Sequence, residues 1–213
     1  MFDQVVSRYD VLNDVLSLGF DRRWRRKAAA ALVSGSGPIL DLGCGTGRLG
    51  ERVVARSTVI GVDLSHAMLL SARSRLGGRT RLVEASAYLL PFGDGAFAGA
   101  LSGFVLRNLD DLPRAFAELG RVLRPGGGIA MVDITEPTSP VLRRVFDAYF
   151  AVAAPAAGAV VGKRDAYRYL VRSLAQLPPP REVCSMLGRE GFRAPRARTL
   201  APGMVTLWTA VRA

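Results

Sequence analysis

At residues 39–47 (ILDLGCGTG), a short apolar segment runs into a glycine-rich turn. Its three glycines allow a tight turn and let a ligand approach the main chain, and the helix predicted to follow would present free N–H groups to that ligand. Residues 45–50 (GTGRLG) also match the dinucleotide fingerprint G-x-G-x-x-G, and Asp63 lies near the distance expected for a ribose-binding acid. The pattern therefore predicts a nucleoside-containing cofactor and leaves its class open.

Two features favour S-adenosylmethionine over NAD as that cofactor. Asp41 is predicted at the mouth of the turn, where its charge would repel a pyrophosphate and attract the ammonium group of the sulfonium cofactor. Residues 123–128 (LRPGGG) resemble the turn before the fifth strand of class I methyltransferases. We expect Asp63 to accept both ribose hydroxyls and Ser86 and Ala87 to flank the adenine. The predicted cofactor-binding residues are Asp41, Gly43, Gly45, Thr46, Gly47, Asp63, Leu64, Ser86, Ala87 and Gly103.

Apolar segments bounded by glycine and proline alternate with helical patterns through most of the chain. Strands are predicted at 38–42, 58–62, 81–85, 99–105, 128–134, 196–200 and 205–211, and helices at 5–18, 21–32 (with Asp21 as N-cap), 48–55, 65–76, 112–123 and 181–190. Such alternation predicts parallel βαβ units in a doubly wound, Rossmann-like α/β sheet of seven strands. We expect residues 1–213 to form one domain, with an N-terminal helical cap over 1–34 and a helical insertion over 140–177 after the fifth strand.

The composition narrows the chemistry that the chain can perform. A single histidine, His66, excludes a His-rich metal site, and two cysteines are too few for a disulfide framework, so we predict no metal and a reducing, cytoplasmic compartment. The first residues lack the features of a secretory signal, and no apolar run reaches the ~20 residues of a membrane-spanning helix. The formal charge of +11 suits an anionic partner such as a membrane surface or a nucleic acid, or reflects only a bias towards arginine.

Five separated segments resemble the quinone C-methyltransferases that complete menaquinone and ubiquinone synthesis. They are residues 8–14 with 17–19 and 24–25, residues 40–47 (LDLGCGTG), residues 90–92 (LPF), residues 106–109 (LRNL) and residues 167–173 (YRYLVRS). The glycine turn is common to many methyltransferases, whereas the N-terminal segment, the Leu-Arg-Asn and the Tyr-x-Tyr-Leu are particular to this family. The resemblance implies S-adenosylmethionine-dependent methylation of a ring carbon of a reduced polyprenyl quinone, in the first place demethylmenaquinol.

The resemblance also singles out Arg107 and Asn108, which follow the fourth strand at the end where open α/β sheets bind ligands. Carbon methylation needs a stabilised phenolate and one carbon held in line with the sulfonium methyl. A guanidinium is a poor base, so Arg107 is predicted to stabilise the oxyanion and Asn108 to position the hydroxyl or a water. The proton would leave through that water to solvent, to Asp110 or to Asp111. Because aromatic faces suit a flat quinol, the predicted acceptor-binding residues are Tyr9, Asn13, Tyr167 and Tyr169.

Three positions depart from the family pattern. Tyr88-Leu89 stands where an acid commonly precedes Leu-Pro-Phe, Phe97-Ala98 where Phe-Asp is common, and Val105 where a glycine precedes Leu-Arg-Asn. These departures leave open another small aromatic or polyketide-like acceptor. An NAD-dependent oxidoreductase and a non-catalytic binding protein are further alternatives.

The sequence also indicates which partners the protein would bind. The fourth strand lacks the Asn/Asp-Pro-Pro-aromatic pattern of methyltransferases that modify base amino groups, so we expect no nucleic acid partner. We expect a polyprenyl quinol acceptor and peripheral contact with the inner face of a membrane. A homodimer stays open.

Overall fold

The computed structural model describes residues 10–11, 13–14, 16–77, 80–137, 139–161, 177–201 and 203–213, with the backbone alone for residue 150 and for residues 152–161. The strands are β1 (Ile39–Leu42), β2 (Val59–Asp63), β3 (Thr80–Glu84), β4 (Phe97–Gly103), β5 (Leu123–Ile134), β6 (Phe192–Leu200) and β7 (Val205–Arg212). The helices are α1 (Asp21–Ala31), α2 (His66–Leu76), α3 (Leu112–Val122), α4 (Pro140–Val161) and α5 (Pro180–Arg189).

The seven strands form one sheet in the order β3-β2-β1-β4-β5-β7-β6. The pairs from β3 to β5 are parallel, and β7 runs antiparallel to both β5 and β6. The chain fills one side of β1 first and then crosses to β4 on the other side, which makes a topological switch point at the carboxyl ends of β1 and β4. The predicted seven-stranded class I methyltransferase sheet is therefore confirmed.

Helices cover both faces of the sheet because successive strand side chains point to opposite faces. Leu40 packs on one face with Phe116 of α3, and Ile39 packs on the other with Trp24 and Ala28 of α1. The apolar stripe of α1 thus lies against β4 and β5, and the Trp24 indole N–H donates to the Ala201 carbonyl at 2.8 Å. This packing brings the first turns of α1 close to the carboxyl ends of both strands.

Two predicted features differ from the structure. Instead of a helix over 48–55, the chain forms a short 3-10 turn at Gly50–Arg52, because Gly47 has a left-handed φ of +80° and the Gly50 N–H donates to the Asp41 carboxylate at 2.8 Å. Asp21 is the first residue of α1 and not its N-cap, since Phe20 occupies the cap position without a side-chain capping bond. The Asp21 carboxylate accepts from the Arg25 guanidinium instead.

The N-terminal and inserted segments are described in part. Residues 10–11, 13–14 and 16 are helical, and a turn at 17–20 ends this N-terminal helical segment at Gly19, as predicted. Helix α4 runs without interruption through Pro155, and residues 162–176 of the predicted insertion lie outside the described residues. None of the helices that the structure describes combines the length and the apolar character needed to cross a membrane.

Candidate active site

A cavity of about 450 Å³ opens at the carboxyl ends of β1, β2 and β4. Its walls are the glycine turn after β1, the end of β2, residues 85–88 and the segment after β4. The volume falls within the ~300–1,000 Å³ of small-molecule pockets, and open α/β sheets bind their ligands at this switch point. We refer to it as the donor cavity.

The glycine turn presents its main chain to the donor cavity at Gly45 and Thr46. Gly45 has φ +53°, and no atom lies within 4 Å of the position that a Cβ would take, so a ligand could approach the backbone there. Gly47 is not among the described lining residues, and a Cβ on it would lie 2.9 Å from Leu76 Cδ1. Gly47 therefore allows α2 to pack closely against the turn.

Gly43 lines the donor cavity and touches Val105, the residue that replaces a family glycine. A Cβ on Gly43 would lie within 2.8 Å of Val105 Cγ1, and Gly43 has a left-handed φ of +64°. The two positions therefore compensate for each other, since the valine occupies the space that the glycine leaves.

The Asp63 carboxylate is fixed at the end of β2 by two main-chain donors. Its Oδ2 accepts from the Gly45 N–H at 2.8 Å, and its Oδ1 accepts from the Ser65 N–H at 2.9 Å. A carboxylate can accept several hydrogen bonds at once, and Asp63 lines the donor cavity. This geometry suits the predicted contact with two ribose hydroxyls.

Four other residues that were predicted to bind the cofactor also lie around the donor cavity. Leu64, Ser86, Ala87 and Gly103 all contribute to its walls. Ser86 forms a β-bridge with Leu89, so the segment predicted to flank the adenine is held as a tight turn. A nucleoside could extend from Asp63 along this turn.

Asp41 lies beneath the glycine turn, not at its mouth as predicted, because strand alternation directs its side chain to the α1 face. It is 1% exposed, and its Oδ2 accepts from the Gly50 N–H while its Oδ1 has no hydrogen-bond partner among the described residues. Burial raises the pKa of Asp41 to about 7, although the charge of Arg25 and the hydrogen bond from Gly50 act against that rise. Asp41 thus supports the turn and does not line the donor cavity.

Arg25 is a cavity residue that no sequence pattern singled out. Its side chain is 6% exposed and lines the donor cavity, and its Nε donates to both oxygens of Asp21 at 2.9 and 3.0 Å. In the sequence it is one of five basic residues at the start of α1. The spacing of four between Asp21 and Arg25 was the available signal, since such residues share a helix face.

Arg107 and Asn108 form the 3-10 turn after β4 and face different spaces. Asn108 lines the donor cavity, and its predicted role near the reacting atoms stays a prediction. Arg107 does not line that cavity: its guanidinium is buried and ion-paired with Asp133, whose carboxylate also accepts from the Arg107 N–H at 3.1 Å. This ion pair is not a surface salt bridge, because Asp133 is fully buried.

Arg107 instead lines a second, smaller space of about 40 Å³, which we call the inner cavity. Its described walls are Asn13, Leu16, Ser17, Asp21, Phe104, Arg107 and Ile134. Asn13 is the predicted acceptor residue that the structure places here, and its Nδ2 is buried without a hydrogen-bond partner in the described part of the chain. Tyr9, Tyr167 and Tyr169 lie outside the described residues.

Phe104 separates the two cavities and lines both. It has a left-handed φ of +66°, a conformation that is strained for a bulky residue. The centre of its ring lies 4.9 Å from the Arg25 guanidinium carbon and 5.9 Å from that of Arg107. The ring therefore makes a cation–π contact with each arginine. No feature of the sequence predicted this backbone conformation at Phe104.

Ion pairs fasten the N-terminal helical segment to the glycine turn. Asp10 accepts from Thr46 Oγ1 at 2.7 Å and is ion-paired with Arg75. Asp14 accepts from Arg48 Nη2 at 2.7 Å. The segment that carries Asn13 is therefore fixed against the turn that lines the donor cavity.

The whole chain is similar to a family of methyltransferases. The model of the ubiE/COQ5 methyltransferase family matches residues 1–212. The ubiquinone/menaquinone biosynthesis C-methyltransferase UbiE of Syntrophotalea carbinolica is 38% identical over 219 residues, which cover 100% of this chain and 92% of that protein. The demethylmenaquinone methyltransferase of Deinococcus radiodurans is 38% identical over 216 residues, covering 98% and 89%.

Solved structures with much lower sequence identity share the fold. A Thermotoga maritima S-adenosylmethionine-dependent methyltransferase superposes with a TM-score of 0.70 at 19% identity and covers 100% of this chain and 98% of that one. The Haemonchus contortus phosphoethanolamine N-methyltransferase 2, solved with S-adenosyl-L-methionine, gives 0.62 at 15% identity and covers 84% and 49%. These likenesses show that the chain shares the overall fold of these methyltransferases.

Proposed function

Because the chain belongs to the ubiE/COQ5 methyltransferase family and is an S-adenosylmethionine-dependent C-methyltransferase, we propose that it methylates a ring carbon of a reduced polyprenyl quinone, in the first place demethylmenaquinol. The names of the relatives support this acceptor class, since they are ubiquinone/menaquinone or demethylmenaquinone methyltransferases. The NAD-dependent alternative loses its support, because Gly50 of the apparent fingerprint binds Asp41 and lies away from the cavity.

The donor cavity would hold the cofactor through residues that the structure has already fixed. The bound cofactor supplies an electrophilic methyl group on a sulfonium. Gly43, Gly45 and Thr46 would contact its amino-acid part, Asp63 its ribose, and Ser86 with Ala87 its adenine. Because the Asp63 carboxylate is already held by two main-chain donors, little reorganisation would accompany binding.

The observation that carries the acceptor proposal is the division of Arg107 and Asn108 between the two cavities. Asn108 would position the acceptor hydroxyl or a water from the donor side. Arg107, with Asn13 beside it, would stabilise the negative charge that develops on the ring oxygen when the neighbouring carbon attacks. The inner cavity is far smaller than a quinol ring, so it would admit a hydroxyl group or a water while the ring stays outside it.

An assay with two quinol nuclei tests this proposal. Purified protein is incubated with methyl-labelled cofactor and either a reduced demethylmenaquinone or the corresponding reduced benzoquinone. We expect labelled product from the naphthoquinol and little from the benzoquinol. Cofactor binding by calorimetry without transfer to either nucleus would refute the quinol acceptor, whereas transfer to the benzoquinol alone would change the nucleus.

A second candidate acceptor is a small aromatic molecule without a prenyl tail. It is favoured by Val105, which lines the donor cavity and fills the space beside Gly43 where the family pattern has a glycine. Comparing turnover on prenylated and tail-free quinols decides between the two. Equal turnover numbers and Michaelis constants would favour the tail-free acceptor.

We also propose that the cytoplasmic protein meets its lipidic acceptor at the inner face of a membrane. Leu18 is 69% exposed, and Val141 and Val145 on one face of α4 are 68% and 57% exposed. On the same face of α4, the Tyr149 hydroxyl donates to the carbonyl of Leu16, which lines the inner cavity. The exposed apolar stripe therefore leads towards the acceptor side.

Vesicle sedimentation tests the membrane proposal. Val145→Asp should weaken binding to vesicles of anionic phospholipid and leave turnover on a short-tailed quinol unchanged, because a carboxylate opposes apolar insertion and is repelled by an anionic surface. Leu70→Asp is the matched control, since Leu70 on α2 is 55% exposed but lies outside this stripe. Equal losses of vesicle binding in both variants would contradict the assignment of this face.

A further inference from the structure

The charged side chains around the donor cavity are distributed unevenly. Among the described residues that line it, Asp63 and Asp110 are acidic and Arg25 is the one cation. Asp63 follows β2, whereas Arg25 lies at the carboxyl ends of β1 and β4, where a Cβ on Gly103 would lie 3.0 Å from its Nη1. The positive charge is therefore found at the end of the cavity that is formed by Gly43 and Gly103.

The Arg25 guanidinium is buried and held in one orientation. Its Nε donates to both Asp21 oxygens, and its planar group lies over the Phe104 ring. Asp21 also accepts from Arg48 Nη1 at 3.0 Å, so one carboxylate is shared between two guanidinium groups. Part of the positive charge on Arg25 is thus left available to a ligand anion.

The cofactor has one anionic group that matches this position. With its ribose at Asp63, S-adenosylmethionine would place its methionine part, which carries a carboxylate and an ammonium, on the side of the cavity formed by Gly43, Gly103 and Arg25. A buried carboxylate requires a cationic or multiple N–H partner. We propose that Arg25 binds the carboxylate of S-adenosylmethionine and selects cofactors that carry it.

This inference differs from the acceptor proposal and does not depend on it. Glycine at position 103 fits the same arrangement, because a side chain there would crowd the Arg25 guanidinium. The charge of Arg25 also acts to lower the pKa of Asp41, against the larger effect of burial.

Calorimetry with two donors isolates the carboxylate contact. S-adenosylmethionine is compared with its decarboxylated form, which keeps the sulfonium, the ammonium and the nucleoside but lacks the carboxylate. A charge-assisted hydrogen bond predicts that the native protein prefers the complete cofactor by ~10–100-fold. Equal affinities for the two donors in the native protein would overturn the proposal before any variant is made.

Variants then assign the preference to Arg25. Arg25→Gln should reduce the ratio of the two affinities to nearly one, and Arg25→Lys should restore part of it because the charge returns. Arg26→Gln is the matched control: it removes a guanidinium from an exposed position of the same helix that does not line the donor cavity, so it should preserve the ratio. Both affinities are measured on one preparation, so an inactive fraction of the protein does not change their ratio.

Two outcomes would overturn the assignment. These are a full preference retained by Arg25→Gln, and a loss of preference in Arg26→Gln as large as in Arg25→Gln. None of these measurements uses the quinol, so failure of the proposed acceptor leaves this test intact.

Discussion

The donor cavity and the inner cavity lie on opposite sides of Phe104 and are built in different ways. The donor side consists of strand ends and main-chain groups, such as the open Gly45 backbone and the Asp63 carboxylate tied to two N–H donors. The inner side brings together Asn13, Arg107 and Ile134, which are distant in sequence, and it depends on a buried ion pair. The donor side is therefore fixed by the sheet, and the inner side by charge pairing.

This contrast predicts where a substitution matters most. A side chain on the donor side can be changed with limited harm where the main chain makes the contact. On the inner side, removal of one member of a buried pair leaves an uncompensated charge. Phe104 connects the two sides, because its ring lies against both Arg25 and Arg107.

The largest effect is expected from Arg107→Met. Loss of a preorganised cation at the developing oxyanion should lower kcat by ~10²–10³-fold. Cofactor affinity should stay close to that of the native protein, because Arg107 does not line the donor cavity. Single-turnover kinetics and calorimetry measure the two quantities separately.

Stability must be separated from catalysis in this variant, because Asp133 is left buried without its partner. That change should lower the free energy of unfolding by ~3–5 kcal/mol. Adding Asp133→Asn removes the second charge and should recover most of the stability but none of the turnover. Recovery of turnover together with stability would show that Arg107 serves only the fold.

A smaller effect is expected from Gly43→Ala on the donor side. Its left-handed φ and the contact with Val105 should displace the turn, and a strain of ~1–2 kcal/mol corresponds to roughly tenfold weaker cofactor binding. Adding Val105→Ala should recover part of the affinity, because it relieves the contact but not the φ.

Gly45→Ala is the control for that rescue, because no atom lies within 4 Å of its Cβ position. It should also weaken cofactor binding, by narrowing the approach to the main chain, but Val105→Ala should not rescue it. Equal rescue of both glycine variants would show that Val105 acts on the cavity in general and not through Gly43.

The sequence predicted the donor side far better than the inner side. Gly43, Gly45 and Asp63 belong to local patterns at strand ends, and strand ends meet wherever a parallel sheet forms. Tertiary geometry decided the rest. Asp41 faces away from the ligand because strand alternation directs it to α1, a face that the motif does not specify.

Two further residues escaped prediction: Arg25, which lines the donor cavity, and Phe104, which lines both cavities. In the sequence, Arg25 is one member of a run of basic residues. Only the packing of α1 against the sheet buries Arg25 together with Asp21. Phe104 adopts a left-handed φ that its residue type disfavours, so local propensity argued against the observed conformation. The helix predicted over 48–55 does not form for a related reason. The Gly50 N–H donates to the Asp41 carboxylate and not to a carbonyl of the preceding helical turn.

The smallest effect on function is expected from Asp41→Asn, which tests whether charge also matters beneath the donor side. The folded-state pKa of Asp41 is about 7, above the model-peptide value of 3.8, so the folded protein binds a proton that the unfolded chain has lost between these pH values. The corresponding stabilisation is fully present below pH ~4 and is lost as pH rises through ~7. An amide stays neutral and can still accept from the Gly50 N–H.

Urea unfolding at pH 5 and pH 8 measures this contribution. From the lower to the higher pH, Asp41→Asn should gain stability relative to the native protein, by on the order of a few kcal/mol. Asp94→Asn is the control, because it removes the same charge from an exposed position. If both variants show the same change with pH, the dependence does not come from a buried carboxylate, and the donor side would rest on backbone geometry alone.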